Sequence, residues 1–393
     1  MIRSVLLFFI ATLALSVLFV SPFSKENNRT VLQEETYQDE QVSAGENKEH
    51  AADIRSFPFV PVPEQKKENP IEEVIAPIAD EHTVASAEHI PFGVETETEV
   101  TRPPSLYSFP PVPFEEINVL ARESLVNILC TTNTASVSPI SASGVLVHYS
   151  GIILTNAHVG QYLLLEQDPR IAISCEIRTE SPAKSAYKAE LVYLPPQWVN
   201  EHAHQISELR PLGTGEHDWA ILRITNTIDG NPLPTAFPFL SPETREAAGF
   251  TEDPVLLASY PAGFIDGNTV QYNLYAASTI TTIKKLYTFL DGSVDLLSLG
   301  GVIVAQGGSS GGAVINAWNH LIGVIVTSSD AETTSGRDLR AITLAHIDRS
   351  IKGQIGIGLI EFLSSDLRSK AADFRENIAP ALIEQFIPFL QQT

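Results

Sequence analysis

A chain of 393 residues with 47 acidic against 25 basic side chains, a formal net charge of −22, exceeds one ordinary domain and argues against nucleic acid as a partner, because its own field would repel phosphates. The charge is uneven: residues 24–117 hold 20 acidic and 7 basic side chains, a net −13, and this concentration reads as a solubilising stretch outside any core. The two cysteines stand in no metal-ligand spacing and near no catalytic motif, which speaks against a zinc site and a cysteine nucleophile.

Arg3 precedes an uncharged apolar run from Ser4 to Val20 that continues to Phe23 before Lys25. At about 20 residues such a run can span a bilayer, and it is longer than the usual core of a signal peptide. No clear Ala-x-Ala site follows, so residues 1–24 are expected to form an N-terminal membrane anchor; a signal peptide is the alternative. Arg3 at a start without acids puts Met1 in the cytoplasm and the remainder outside. The chain is then membrane-anchored and periplasmic or extracellular, or secreted if the segment is cleaved.

From residue 25 to 117 periodicity gives way to Glu, Pro, Gln and Ser, the composition of a disordered linker. Two related pieces, Ser56-Phe-Pro-Phe-Val-Pro-Val-Pro-Glu64 and Ser108-Phe-Pro-Pro-Val-Pro-Phe-Glu-Glu116, favour polyproline II, and their Phe and Val residues suit either a stiff spacer or docking on the folded part.

Residues 118–353 read as short strands divided by Gly, Pro, Asn and Asp: 125–130, 143–147, 151–154, 171–177, 189–194, 220–224, 254–259, 270–280, 301–305, 313–315, 321–326 and 339–344. Many strands without helical spacers predict an all-β barrel or sandwich. Residues 354–393 turn helical, with Ser364 or Ser365 capping a helix from Asp366 and Pro380 opening a second that ends near Leu390; both are expected to pack on the C-terminal half of the β-structure.

Three stretches carry chemistry. Thr155-Asn-Ala-His158-Val159 ends an apolar strand in a histidine, His217-Asp218-Trp219 leads an apolar strand with an aspartate, and Gln306-Gly-Gly-Ser309-Ser310-Gly-Gly-Ala-Val314 puts serines in a glycine-rich turn. The last is by itself also the composition of a flexible linker. Glu216 is a rival to Asp218 and Ser309 a rival to Ser310, while Glu201-His-Ala-His204 offers imidazoles that read as solvated surface.

Taken together in this order, 60 and 92 residues apart, the three stretches resemble the chymotrypsin-like serine proteases from Asn118 to Ile351, and more closely the bacterial trypsin-like and HtrA-type branch. The resemblance implies two six-stranded antiparallel β-barrels with His158 and Asp218 from the first and Ser310 from the second. It makes Ser310 the nucleophile, His158 the base, Asp218 the group that orients the base, and the N–H groups of Gly308 and Ser310 the oxyanion hole. Val304, Val326 and Thr327 fall where the specificity pocket would lie and carry no charge, which implies small or medium aliphatic P1 residues. Cys130 and Cys175 lie on predicted strands of the first barrel and could pair as a disulfide if those strands are neighbours, or remain two buried thiols. About 40 residues beyond Gly353 are too few for the PDZ domain usual in the HtrA branch. Digestive-type relatives carry an aspartate where Ser309 stands, so cleavage of a trypsin-like zymogen is not expected. The function implied is a serine endopeptidase for protein or peptide substrates, needing no cofactor or metal; the alternative is a catalytically silent domain that binds peptides or a partner in its cleft.

Overall fold

The computed structural model describes residues 96–102, 106–133, 137–208, 215–263, 267–289, 292–302, 304–328 and 338–391. The expected anchor, residues 1–24, and the first Phe-Pro piece lie outside the described residues; among those described, no helix is long and apolar enough to cross a membrane.

In chain order the described part opens with β1 (Thr96–Glu97) and α1 (Phe114–Glu123), followed by β2 (Leu125–Thr132), β3 (Ile140–His148), β4 (Ile152–Thr155), α2 (Ala157–Leu165), β5 (Ile173–Thr179), β6 (Lys184–Tyr193), α3 (Pro196–His202) and β7 (Ala220–Thr227). Strands β2 to β7 close a six-stranded barrel in the order β2-β3-β4-β7-β6-β5. Its strands are short and largely apolar, and β4 is buried along its whole length. Gly144 lets β3 approach closely, since a Cβ there would lie 2.7 Å from Ile153 Cγ2.

The C-terminal half contributes β8 (Ser241–Pro242), β9 (Pro254–Ser259), α4 (Gly267–Tyr272), β10 (Ala277–Thr282), β11 (Lys285–Thr288), β12 (Leu296–Gly300), β13 (Ala313–Asn316), β14 (His320–Ser328) and β15 (Leu339–Thr343). The strands form one nine-stranded sheet, β1-β11-β12-β15-β14-β13-β9-β10 with β8 beside β14, in which β10 and β11 are consecutive in the chain, so that β9, β10–β11, β12, β15, β14 and β13 follow one another around the ring expected of the second barrel. Only Ile283 and Lys284 separate β10 from β11, so the two limbs of the sheet meet at a corner of the chain where Lys284 N donates to Ser298 O at 2.7 Å.

Two expected strands are displaced. The alternation from Val270 to Ile280 reads as one strand, but Asn273 N closes a helical turn onto Thr269 O and the Val270 and Gln271 carbonyls bond to Arg178, so only 277–282 enter the sheet. The strand expected at 301–305 ends at Gly300 (φ +69°), after which Ala305 N bonds Val302 O and the chain turns toward the serines.

Ordered chain also begins before residue 118. Thr96 and Glu97 pair with Thr288 and Tyr287. Tyr107 stacks on Trp318 at 4.7 Å, Trp318 Nε1 donates to Phe109 O at 3.0 Å, and Val112 N donates to Ala317 O at 2.7 Å. The second Phe-Pro piece is thus seated on the β13–β14 turn, because its aromatics and unpaired backbone groups find partners there.

Four helices end the chain: α5 (Leu344–Ile355), α6 (Leu359–Leu363), α7 (Leu367–Asp373) and α8 (Ala379–Leu390), with one π turn at Phe374–Ile378. Asp366, not Ser364 or Ser365, caps α7 by accepting from Ser369 N. Helix α5 lies along β14 and β15, but α7 and α8 reach the first barrel rather than the second. Phe374 packs edge-on against Tyr193 of β6 at 5.7 Å, and Arg170 and Asn200 bind Glu384 and Gln385 of α8. The apolar faces of these helices match the buried Trp198, Ala203 and Ile206 of the first half, which decides where they settle.

Cys130 and Cys175 face each other directly across β2 and β5 and are joined as a disulfide that closes 45 residues. Replacing both with alanine is expected to lower unfolding free energy by about 2–4 kcal/mol, because the cross-link restricts the unfolded chain. Urea unfolding with and without reductant checks this: the double variant should be insensitive to reductant, and the native protein should fall to its level.

Candidate active site

The three chemical stretches converge in the seam between the two halves. Helix α2 follows β4 after one extended residue, Asn156, and carries His158 in its first turn. The helix is held against β7 by Gly160, where a Cβ would lie 2.6 Å from Ala220 Cβ. That close approach brings His158 to Asp218, two residues before β7. His158 Nδ1 meets Asp218 Oδ2 at 2.7 Å, His158 N donates to Asp218 Oδ1 at 2.9 Å, and Asn156 Nδ2 donates to Asp218 O at 3.0 Å. Both carboxylate oxygens therefore face one residue. Glu216, the rival carboxylate, lies 3.7 Å from His217 instead.

The Asp218 turn is braced from behind by α5. His217, in a left-handed conformation at φ +59°, meets Ser350 Oγ through Nδ1 at 3.1 Å, and Trp219 Nε1 donates to the same hydroxyl at 3.2 Å. Burial, together with His346 and His202 nearby, pushes the His217 pKa down from 6.5 to about 4. At neutral pH it therefore carries no positive charge that would compete with His158 for Asp218.

The serine turn is tight, not a linker. Gly308 (φ +90°) and Gly311 (φ +84°) occupy conformations that side chains rarely adopt. A Cβ on Gly308 would lie 2.6 Å from Tyr260 O, and one on Gly311 would lie 2.5 Å from Thr155 Oγ1. Ser309, the rival serine, is 1 % exposed, and its hydroxyl bonds to Ser259 Oγ and to the Val304 carbonyl. Ser310 is left on the accessible side. Among the described residues, neither the Gly308 nor the Ser310 N–H spends itself on a hydrogen bond.

Ser143 of β3 was not anticipated, although a polar residue inside an apolar strand is the signal that could have found it. Its N–H donates to Ser310 O at 2.8 Å, its hydroxyl donates to Gly308 O at 2.8 Å and accepts from Tyr260 N at 2.9 Å, and its carbonyl accepts from Thr155 Oγ1 at 2.8 Å. The turn that carries Ser310 is thus tied to the strand that runs into His158.

The residues expected at the specificity pocket are uncharged, as their sequence says, but Val304 is fully buried and Val326 nearly so, 3.2 Å from the position a Gly215 Cβ would take. In this structure they pack as core; Thr327 continues β14 opposite Arg340. His202 and His204 belong to packing: the first stacks on Trp198 at 5.2 Å and the second lies edge-on to Phe389 at 6.4 Å.

Burial alone would depress the His158 pKa, but the charge and hydrogen bond of Asp218 outweigh it and leave it raised above 6.5. If His158 serves as a base it must be neutral to accept a proton, so the acid limb of kcat/KM is then expected to fall at a pH above 6.5, with activity kept on the alkaline side. In Asp218→Asn the limb should move to lower pH while kcat drops by about 10⁴-fold, as when a Ser-His-Asp triad loses its carboxylate. A pH–rate profile of both proteins measures the two effects together. Ser143→Ala strands the Gly308 carbonyl and the Tyr260 N–H and should cost about 2–3 kcal/mol of stability, read from urea unfolding, with a loss of kcat exceeding that of an alanine elsewhere in β3.

Residues 142–324 match the family model of the trypsin-like peptidase domain. Among solved structures, the chain is similar to one described as HtrA-type protease AlgW with decapeptide, at 17 % identity, 61 % of this chain, 67 % of that chain and a TM-score of 0.40. It is also similar to the crystal structure of Deg5, at 19 % identity, 60 % of this chain, 93 % of that chain and a TM-score of 0.38. No curated protein matches the chain.

Proposed function

We propose that the trypsin-like peptidase domain carried by residues 142–324 is a serine endopeptidase that cleaves proteins or peptides outside the cytoplasm. Ser310 Oγ attacks the scissile carbonyl while His158 Nε2 takes its proton; the C–O bond forms as the carbonyl π pair moves to oxygen. The oxyanion is met by the Gly308 and Ser310 N–H groups. Its collapse breaks the C–N bond, His158 returns the proton to the leaving amine, and water repeats the sequence on the acyl-enzyme. Asp218 holds the imidazole in the tautomer that leaves Nε2 free and stabilises the imidazolium.

The observation that carries this function is the His158–Asp218 pair at 2.7 Å, on the wall to which Ser310 is latched through Ser143. The two unspent N–H groups beside Ser310 support it. Ser309, satisfied by neutral hydroxyl and carbonyl partners, supports activity without a newly cut N-terminus, since it offers no charge for an ammonium. The disulfide and the apolar run from Ser4 to Val20 support an oxidising, extracytoplasmic location with attachment to a membrane. Small or medium aliphatic P1 residues are proposed from the lack of charge at Val304, Val326 and Thr327 in the sequence alone, the two valines being packed as core.

The full chain and Ser310→Ala, incubated with unfolded casein and a fluorophosphonate probe, test the proposal. Cleavage and labelling should both occur and both vanish in the variant, and the fragments should end in aliphatic residues. A folded protein that neither cleaves nor labels would indicate a peptide-binding domain instead, and fragments ending in Arg or Lys would overturn the specificity.

A further inference from the structure

Beneath the candidate site lies a buried cation that the proposed chemistry does not use. We propose that Arg178 is a positioning residue for the oxyanion-binding turn: its guanidinium anchors the segment around Val270 and Gln271, and the Tyr260–Gly263 limb of the same loop holds the Gly307–Gly308 peptide in the orientation that aims the Gly308 N–H at the substrate oxygen. This role rests on the endopeptidase mechanism above.

Arg178 stands in a row with the latch. Ser143 of β3 pairs with Asn127 of β2, and Asn127 pairs with Arg178 of β5, so the guanidinium's strand is two strand spacings, about 10 Å, from the residue that holds Ser310. Arg178 is 1 % exposed. Nη1 donates to Asn127 Oδ1 at 3.2 Å and to Val270 O at 2.9 Å; Nη2 donates to Ala183 O and to Gln271 O, both at 2.9 Å. Among the described residues none of its hydrogen-bond acceptors is a carboxylate. Burial accordingly pulls its pKa below the usual guanidinium value. Glu176 acts on it through its charge but makes no hydrogen bond to it among the described residues, and a buried cation held only by neutral acceptors costs stability, so the residue is poorly explained as packing. What the planar fork supplies is geometry, joining β2, the turn before β6 and the α4 segment in one plane, which a lysine or an apolar side chain cannot do.

The other limb of that loop is fitted against the turn. Ala262 N donates to Gly307 O at 2.6 Å, and Cβ atoms on Gly263 and Gly308 would lie 2.8 Å from Gly307 N and 2.9 Å from Ala262 N. Because a peptide is planar and trans, the Gly307 carbonyl and the Gly308 N–H point in opposite directions. A donor that fixes the first therefore fixes the second. The two limbs are also clamped together next to Arg178: Tyr260 OH donates to Glu180 O at 2.7 Å, Ala183 N to Leu274 O at 2.7 Å and Ala276 N to Ser181 Oγ at 3.0 Å.

The test compares the full chain with Arg178→Met, Arg178→Lys and Ser310→Ala. Each is assayed for kcat and KM on a peptide substrate and for binding of a peptidyl trifluoromethyl ketone, whose tetrahedral adduct with serine places an oxyanion where the substrate's would form. Arg178→Met is expected to lower kcat by about 10–100-fold, less than the loss of an oxyanion donor outright, with KM within about twofold and ketone affinity reduced by the same factor as kcat. Arg178→Lys, which keeps charge but not the fork, should show a smaller loss of the same kind. A kcat that stays at the native value, a loss confined to KM, or a lower kcat with unchanged ketone affinity would overturn the role. Should Arg178→Met fail to fold by circular dichroism, Arg178→Lys decides by the same criteria. If Ser310→Ala still cleaves, or the native chain never reacts, the endopeptidase itself is refuted and this role with it; an active native chain with unaffected Arg178 variants refutes the role alone.

Discussion

The candidate site depends on one buried residue, Ser143, whose N–H, carbonyl and hydroxyl are all engaged at the seam. It bonds to Ser310 and Gly308 of the serine turn, to Tyr260 at the end of β9, and to Thr155 at the end of the strand before His158. A hydroxyl buried at 0 % exposure is tolerated only when its hydrogen-bonding capacity is met, and here meeting it requires both halves to be in place. The polar seam sets register rather than adding much free energy: the apolar cores hold each half, and the seam decides how they align.

Around that seam the two reacting sides are supported in different ways. His158 and Asp218 are positioned by close packing, with Gly160 allowing α2 to lie against Ala220. Asp218 faces His158 with both oxygens, and its turn is braced by Ser350 of α5. The serine turn is shaped by left-handed glycines and hydrogen bonds to Ser143, Ala262 and Ile325, which makes its geometry more dependent on neighbouring loops. The C-terminal helices then bridge the structure, α5 on the second sheet and α7 and α8 on the first barrel, and so resist separation of the halves.

Much of the site was readable in the chain. The chemistry of Thr155–Val159, His217–Trp219 and Gln306–Val314 is local: each places a functional residue at the end of an apolar strand or in a glycine turn, and strand-then-turn patterns survive folding. The choice of Asp218 over Glu216 rested on the strand behind it and agrees with the hydrogen bonds. Misreadings arose where a distant partner overrode a local pattern. Val270–Ile280 alternates like a strand, yet Arg178 takes two of its carbonyls; Val304 and Val326 look like pocket walls by position but are enclosed by core.

By itself the sequence determined the β-rich architecture, the three chemical stretches, their order and the absence of charge at the expected pocket positions, because periodicity and turn chemistry are encoded within a few residues of one another. Only the tertiary structure decided that Ser143 is the latch, that β2 and β5 bring the cysteines together, that Arg178 is buried among carbonyls, that β10 and β11 join the two limbs of the second sheet, and that α7 and α8 cross to the first barrel. Each of these is a pairing between residues tens to hundreds of positions apart, and such pairings follow from which buried polar group finds which partner once the apolar surfaces have met.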